Sequence, residues 1–292
     1  MTGSGACHTH HHHHEHSDRE PAVIPARRRA FVFDMDGVMY QGGQLIDGAA
    51  EAVATVRNLG LPLFFVTNNS REAPVELAAK LQQMGVDAGP EEIISAVVAT
   101  VEYLNRLDPK PDSVLVLGGA GLAANIEAAG FRLASFDDDE PVDVVVAGCD
   151  FGLTYDRLSR ATRGLVVHDA AFIAVNRDSL LPTANGPMPG AGAIVGALTA
   201  ATGIEPLVVG KPSPHLFSLA AERSGVPAED LVILGDLLDA DIAGANAIGA
   251  TGVLVLTGST TRTDAEAAQG ELRPNLVIDN LNQLPYDLLL AP

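Results

Sequence analysis

The sequence FVFDMDGV, residues 31–38, places two carboxylates directly after a short apolar run. Phe31–Phe33 is predicted to be a strand, and ligands of open α/β sheets bind at the carboxyl ends of strands. Two acids this close repel each other and need a cation, and their hard oxygen atoms suit Mg²⁺. Asp34 and Asp36 are therefore candidates for a catalytic metal site, although an Asp-rich turn would give the same pattern.

Two more apolar runs end in residues that could bind an anion. Thr67 and Asn68 follow the run Leu61–Val66, and a hydroxyl with free backbone N–H groups can hold phosphate oxygens. An N-cap and turn would use the same residue types. Lys211, within the sequence GKPSP of residues 210–214, follows a third run, and its charge could neutralise a phosphate or a nucleophile. An exposed solubilising lysine is the alternative.

A fourth apolar run, Leu231–Leu234, leads into three acids with no basic residue among them. Asp236, Asp239 and Asp241 fall within six residues, which is costly unless a cation lies there. Acids that match a helix dipole would explain Asp239 and Asp241, but less readily Asp236. Asp236 is therefore the third candidate metal ligand.

Short apolar runs alternate with helical stretches along the chain, which predicts an α/β fold with parallel sheets covered on both faces. About ten strands are too many for one small sheet, so we expect two sheets. The predicted strands are Phe31–Phe33, Leu61–Val66, Val114–Leu117, Phe131–Ala134, Val142–Ala147, Phe172–Val175, Leu207–Val209, Leu231–Leu234, Val253–Leu256 and Val277–Ile278. The predicted helices include Asp47–Leu59 with Asp47 as N-cap, Val75–Met84, Glu91–Leu107, Tyr155–His168 and Ala193–Ala201.

Composition excludes some partners. The chain has 292 residues with 18 basic and 37 acidic side chains, so its net charge of −19 repels nucleic acids and anionic membranes. No apolar run reaches 18 residues and no signal peptide is visible, and the cysteine pair Cys7 and Cys149 fits a reducing compartment. We expect a cytoplasmic protein. Residues 1–29, with seven histidines in His8–His16, are interpreted as a disordered tail rather than a metal-capturing tract.

Taken together and in this order, the four segments resemble the haloacid dehalogenase superfamily. The patterns D-x-D-G-V, T-N-N-S, G-K-P-S-P and G-D-x-x-x-x-D resemble its branch of NagD, 4-nitrophenylphosphatase, phosphoglycolate phosphatase and glycerol-3-phosphate phosphatase proteins. The elements Asn176-x-Asp178 and Pro189-Gly-Ala-Gly resemble the same branch. The resemblance implies a core of Rossmann-like doubly wound parallel sheet over residues 30–110 and 205–292. It also implies an inserted α/β cap domain over residues 111–204.

The resemblance implies roles for five residues in the chemistry. Asp34 would be the nucleophile that forms an aspartyl-phosphate, and Asp36 would protonate the leaving group and then activate water. Thr67 and the backbone at Asn68 would hold the phosphoryl oxygens, and Lys211 would offset the negative charge. Relatives that cleave carbon–halogen bonds have no acid at the position of Asp36, which favours phosphate chemistry.

The resemblance also implies a Mg²⁺ site. Its ligands would be an oxygen of Asp34, the backbone carbonyl of Asp36, and Asp236, with Asp241 supporting the shell. The expected function is Mg²⁺-dependent hydrolysis of small phosphorylated metabolites such as glycerol 3-phosphate, phosphoglycolate or 4-nitrophenyl phosphate. A phosphotransferase, a phosphatase specific for sugar phosphates or nucleotides, and a non-catalytic binding protein are alternatives, and a homodimer is possible by analogy.

Overall fold

The structure is a computed structural model, and it describes residues 27–292. Of the predicted tail, residues 1–29, all but the last three lie outside the described residues, as do the histidine tract and Cys7. Within the described part, no helix combines the length and the apolar composition that crossing a membrane requires. Arg29 donates to Thr251 Oγ1 at 2.9 Å, which joins the start of the described chain to a strand near its end.

Strands and helices alternate along the described chain. The strands are β1 (Ala30–Asp34), β2 (Tyr40–Gln41), β3 (Gln44–Leu45), β4 (Leu63–Thr67), β5 (Ile93–Ser95), β6 (Ser113–Leu117), β7 (Arg132–Leu133), β8 (Val144–Ala147), β9 (Ala171–Ala174), β10 (Leu180–Leu181), β11 (Met188–Pro189), β12 (Leu207–Val208), β13 (Leu231–Gly235), β14 (Thr251–Val255) and β15 (Leu276–Ile278). The α-helices are α1 (Ala49–Asn58), α2 (Pro74–Gln83), α3 (Ala96–Arg106), α4 (Ala120–Ala128), α5 (Tyr155–Val166), α6 (Ala191–Thr202), α7 (His215–Ser224), α8 (Ala243–Ala247), α9 (Arg262–Ala267) and α10 (Tyr286–Leu289). Leu238–Ile242 forms a π-helical turn.

The first sheet has six parallel strands in the order β15-β14-β13-β1-β4-β5. Strands β1, β4 and β13 are buried along their whole length, which is why their sequences are apolar throughout. Phe33 pairs with Leu234 on one side and Phe65 on the other, so these three strands end at the same edge of the sheet. The predicted α/β fold with a parallel sheet is confirmed.

The second sheet is also parallel, with five strands in the order β12-β9-β8-β6-β7. Strand β12 follows residue 204, the predicted end of the insertion, yet pairs with β9 in this sheet. The division into residues 30–110, 111–204 and 205–292 stays a prediction. One apolar cluster joins both sheets, with Val32 and Ile94 from the first and Val114 and Val146 from the second. Because that surface is buried between them, the two sheets are held together.

The structure corrects the predicted helix Glu91–Leu107. Its first two residues belong to the 3-10 turn Pro90–Glu92, the next three form strand β5, which pairs with β4, and helix α3 begins only after them. Ile93 and Ile94 are fully buried and β-branched, so they favour a strand that is covered on both faces. Ser95 ends the strand and caps α3, because its Oγ accepts the Val98 N–H at 3.2 Å.

Two short hairpins and one helix cap also differ from the predictions. The hairpins β2–β3 and β10–β11 have strands of two residues, which is too short to produce a recognisable alternation of apolar and polar residues. The N-cap of α1 is Gly48, not the predicted Asp47, and it has a left-handed φ of 87°. Glycine adopts that conformation without the steric cost that aspartate would have.

Candidate active site

Three buried carboxylates meet at the carboxyl edge of the first sheet. Asp34 ends β1, Asp236 follows β13, and Asp241 lies in the π-helical turn after it. One carboxylate oxygen from each lies within 4.8 Å of the other two, and we call this group the three-acid cluster. The cluster forms because the neighbouring parallel strands β1 and β13 end side by side.

Lys211 neutralises part of this charge. Its Nζ donates to Asp241 Oδ1 at 2.6 Å and to Asp34 Oδ1 at 3.0 Å, and all three side chains are buried. Burial disfavours the charged lysine, but Asp241 and Asp34 outweigh it and raise the pKa of Lys211. Burial first, and then Asp241, raises the pKa of Asp34 well above its ordinary value despite Lys211. One lysine therefore does not compensate the buried negative charge.

Asp236 supplies the clearest indication of a cation site. Its Oδ2 accepts the Ser259 N–H at 3.1 Å, whereas its buried Oδ1 has no hydrogen-bond partner among residues 27–292. Burial and the neighbouring Asp241 raise the pKa of Asp236. An unpartnered, buried carboxylate oxygen is costly, and a hard divalent cation with oxygen ligands would satisfy it. The residues present therefore fit the predicted metal ion.

Asp36 lies apart from the three-acid cluster. Its side chain reaches solvent, but the surrounding protein removes part of its hydration and raises its pKa, an effect that Lys80 and Lys211 partly offset. A carboxyl group with a raised pKa keeps its proton to higher pH and is better suited to donate it. Its predicted backbone contact with a metal ion stays a prediction.

Asp241 positions the other groups through direct contacts. Besides binding Lys211, its Oδ2 accepts the backbone N–H groups of Asp236 and Leu237, both at 3.1 Å. A β-carbon on Gly235 would lie 2.2 Å from Asp241 Cβ, so only glycine leaves space for this carboxylate. Asp241 therefore fixes both the lysine and the backbone that carries Asp236.

Asn68 connects the two sheets. Its side-chain oxygen accepts the Lys211 N–H at 2.8 Å, its amide donates to Asp178 Oδ1 and the Lys211 carbonyl, both at 3.2 Å, and its own carbonyl accepts from Asn176 Nδ2 at 2.7 Å. Its side chain is thus engaged in holding Lys211, so only the backbone at Asn68 stays a predicted phosphate ligand. The Thr67 hydroxyl is buried at the same strand end and accepts the Asn69 N–H at 3.1 Å.

The segment Thr257–Thr260 after β14 also belongs to the site, although the sequence pattern did not predict it. The hydroxyl of Thr257 donates to the Gly37 carbonyl at 2.7 Å, the hydroxyl of Thr260 donates to the Asp236 carbonyl, and Ser259 binds the Asp236 carboxylate. The pattern that marks the other strand ends is present here too, because small polar residues follow a buried apolar strand.

Comparison with known protein families agrees with this geometry. A model described as haloacid dehalogenase-like hydrolase matches residues 31–132, and a second, HAD-hydrolase-like model matches residues 208–284. A relative from Staphylococcus saprophyticus, described as an acid sugar phosphatase, is 37% identical over 260 residues, which is 89% of this chain and 98% of that protein. The chain belongs to the haloacid dehalogenase-like hydrolase family. The predicted family resemblance is confirmed.

Solved structures of other haloacid dehalogenase-like hydrolases have the same fold. A p-nitrophenyl phosphatase from Archaeoglobus fulgidus is 32% identical with a TM-score of 0.81, covering 90% of this chain and 98% of that one. A glycerol phosphate phosphatase from Mycobacterium tuberculosis, in complex with magnesium, is 34% identical with a TM-score of 0.79, covering 87% of this chain and 75% of that one. NagD from Escherichia coli is 27% identical with a TM-score of 0.80, covering 88% of this chain and 98% of that one.

Gly258→Ala should weaken the Mg²⁺ binding that is predicted for this hydrolase by about tenfold or more, the range seen when groups that orient a metal ligand are changed. A β-carbon at this position would lie 2.0 Å from Asp236 Oδ2 and 2.5 Å from Asp236 Cβ, so Asp236 has to move away as a whole rather than only turn its carboxylate. Calorimetric titration with Mg²⁺ measures the effect. Gly196→Ala is the matched control, because its β-carbon meets nothing within 4 Å, and equal Mg²⁺ affinity of the two variants would contradict the assignment of Asp236.

Proposed function

We propose that this hydrolase is a Mg²⁺-dependent phosphomonoesterase that acts on small organic phosphates through an aspartyl-phosphate at Asp34. The observation that carries the proposal is the Asp34 carboxylate at 3.0 Å from the buried Lys211 ammonium, beside the unpartnered Asp236 Oδ1. Support also comes from relatives described as acid sugar, p-nitrophenyl and glycerol phosphate phosphatases.

Binding of the phosphate group comes first. The Lys211 ammonium contacts the Asp34 carboxylate, and the Thr67 hydroxyl and the backbone at Asn68 lie at the carboxyl end of β4, the strand that pairs with β1. Their positive charge and donors reduce the repulsion between a phosphate dianion and an attacking carboxylate. Asp34, Asp236 and the backbone carbonyl of Asp36 would hold Mg²⁺, whose charge would further offset that of the phosphoryl oxygens.

Two displacement steps then complete the reaction. A carboxylate oxygen of Asp34 forms a bond to phosphorus, the bond from phosphorus to the ester oxygen breaks, and Asp36 gives its proton to the leaving alkoxide. The Asp36 carboxylate then takes a proton from water as that water attacks phosphorus. This second attack releases inorganic phosphate, regenerates the Asp34 carboxylate and returns the proton to Asp36.

The second sheet serves, in this proposal, as a cap domain over the reacting groups. Asn176 and Asp178 follow β9 and contact Asn68 of the first sheet, so the cap is joined directly to the segment that holds Lys211. A cap in this position excludes water from the aspartyl-phosphate until Asp36 activates one molecule, and its residues shape the pocket for the leaving group.

Asp36→Asn should convert steady turnover of 4-nitrophenyl phosphate into a burst followed by a slow phase. Nitrophenolate is a weak base and leaves without a proton, so the aspartyl-phosphate still forms, whereas its hydrolysis loses the general base, a loss of roughly 10²–10⁴-fold. Stopped-flow absorbance measures a burst equal to the enzyme concentration. With glycerol 3-phosphate, whose alkoxide needs the proton, we expect no burst.

Asp47→Asn is the matched control, because Asp47 is exposed and outside the site, and it should keep steady turnover of both phosphates. Equal rates for Asp36→Asn and the unmodified protein would exclude Asp36 as the acid and base. Release of nitrophenolate without inorganic phosphate, when alcohols are present as acceptors, would identify a phosphotransferase instead.

A further inference from the structure

Lys211 is connected to both sheets at once. Strand β12 pairs with β9 in the second sheet, and the ladder continues beyond it, because the Gly210 N–H donates to the Val175 carbonyl at 2.8 Å. The next residue is Lys211, whose ammonium reaches Asp34 of the first sheet at 3.0 Å. The backbone of the lysine therefore continues the edge of the second sheet, while its charged end lies in the proposed catalytic centre of the first.

The backbone of Lys211 is held by a single side chain. The Asn68 side chain accepts the Lys211 N–H at 2.8 Å and donates to the Lys211 carbonyl at 3.2 Å, and we call this pair of bonds the backbone clamp. At the other end of the lysine, Asp241 and Asp34 bind the ammonium. A lysine side chain is a flexible four-carbon stem, so fixing both of its ends limits the positions that its charge can take.

Asn176 holds the backbone clamp in place from the second sheet. Its buried side chain donates from Nδ2 to the Asn68 carbonyl at 2.7 Å, and its Oδ1 accepts the Asp178 N–H at 3.1 Å. An amide supplies both the donor and the acceptor, whereas a carboxylate can only accept. Neither hydrogen bond goes to Lys211, so these bonds act on the lysine through Asn68.

Two glycines leave the space that this arrangement requires. A β-carbon on Gly210 would lie 2.8 Å from Asn176 Cβ, so glycine lets the chain pass close to Asn176 just before the lysine. A β-carbon on Gly192 would lie 2.9 Å from the Asp178 carbonyl oxygen, which accepts the Gly192 N–H at 2.9 Å. The two sequence elements that contain Asn176 and Gly192, to which the proposed mechanism assigns no step, therefore pack together beside the backbone clamp.

We propose that Asn176 is a positioning residue for Lys211, which it reaches through Asn68. This inference rests on the proposed function, in which the lysine ammonium offsets the negative charge of the phosphoryl group. Displacing a catalytic group by about 1 Å can cost about 10²-fold in rate, even when the altered residue is distant from the chemistry. Loss of the Asn176 donor should therefore lower kcat while the phosphate is still bound.

Asn176→Asp tests this role with a nearly isosteric change. The variant keeps an oxygen that accepts the Asp178 N–H and loses the donor to the Asn68 carbonyl. We expect kcat for 4-nitrophenyl phosphate to fall by about tenfold or more, with less change in KM. Asn246→Asp is the matched control, because Asn246 also donates to two backbone carbonyls, at 2.6 and 3.0 Å, outside the site, and its kcat should equal that of the unmodified protein.

Nuclear magnetic resonance of the lysine ammonium groups distinguishes a displaced Lys211 from a loss of fold. The chain has three lysines, of which Lys211 is buried, Lys80 is half-buried and Lys110 is exposed, so ¹⁵N-labelled lysine should give one slowly exchanging ammonium signal. In Asn176→Asp, hydrogen exchange at that signal should become about tenfold faster or more, while the signals of the other two lysines stay unchanged. Asn68→Ala should have the same effect, because it removes the backbone clamp and keeps the carbonyl that Asn176 binds.

An Asn176→Asp protein with the kcat of the unmodified protein would overturn the proposal, whatever its ammonium exchange. A lower kcat with unchanged exchange of the Lys211 ammonium would also overturn it, because Asn176 would then act on another group. If Asn176→Asp does not fold, Asn176→Ala, which removes the same donor without adding a charge, is measured in its place. Ammonium exchange needs no substrate, so it tests the positioning of Lys211 even if the unmodified protein releases no phosphate, a result that would overturn the phosphatase proposal alone.

Discussion

Asp34→Asn should abolish hydrolysis of 4-nitrophenyl phosphate and of alkyl phosphates, with a loss of about 10⁴-fold or more in kcat. The amide has no nucleophilic carboxylate oxygen, so no covalent intermediate forms. It is nearly isosteric, and its oxygen still accepts from Met35 N–H and Lys211 Nζ, which Asp34 Oδ1 contacts at 2.9 and 3.0 Å. Phosphate release with saturating Mg²⁺ measures the loss.

The thermal unfolding temperature shows whether Asp34→Asn loses activity because the nucleophile is gone or because the fold is destabilised. The pKa of Asp34 is raised in the native protein, chiefly by burial, so without Mg²⁺ the native state holds this proton to higher pH than the unfolded chain. Ionisation of Asp34 therefore destabilises the native state as pH rises above the ordinary aspartate range. Asparagine does not ionise, so the variant should unfold at a higher temperature than the parent at neutral pH, with the difference shrinking towards acid pH.

An Asp34→Asn protein that keeps activity would exclude Asp34 as the nucleophile. An inactive variant with a lowered unfolding temperature at neutral pH would attribute the loss to misfolding instead. Asp47→Asn controls for the loss of one carboxylate elsewhere, since Asp47 is exposed, and it should match the parent in both measurements.

Lys211→Met should produce the second large effect, on activity and stability together. The change removes the buried cation between Asp241 and Asp34 and leaves two carboxylates without their shared partner. Breaking a buried pair by removing one member costs about 3–5 kcal/mol, and the phosphate loses its nearest fixed positive charge. Urea unfolding measures the stability, and kcat/KM for 4-nitrophenyl phosphate measures the catalytic loss.

A double variant separates the two effects. Lys211→Met combined with Asp241→Asn removes one of the stranded charges, so it should regain part of the stability while staying inactive. The Asp241→Asn oxygen can still accept the backbone N–H groups of Asp236 and Leu237. Full stability of the single variant would contradict the pairing of Lys211, and full activity would contradict its role at the phosphate.

The strands that carry the site could be predicted because they are covered on both faces. Such strands are apolar throughout, so the polar residues that follow them, among them Asp34, Thr67 and Asp236, are conspicuous in the sequence. Strand β5 was missed because Ile93–Ser95 is too short for a periodic pattern and continues directly into α3. The local sequence pattern was therefore sufficient to predict the longer buried strands and insufficient to predict the short ones.

The residue types at the strand ends, and with them the family and the candidate site, are predictable from the sequence alone. Their pairing depends on the tertiary fold. Lys211 donates to Asp34 across 177 positions and to the Asn68 side chain through its backbone N–H, and Asp236 keeps one oxygen unpartnered among the described residues. Partners so distant along the chain leave no local pattern, because their contact depends on how the sheets pack rather than on neighbouring residues.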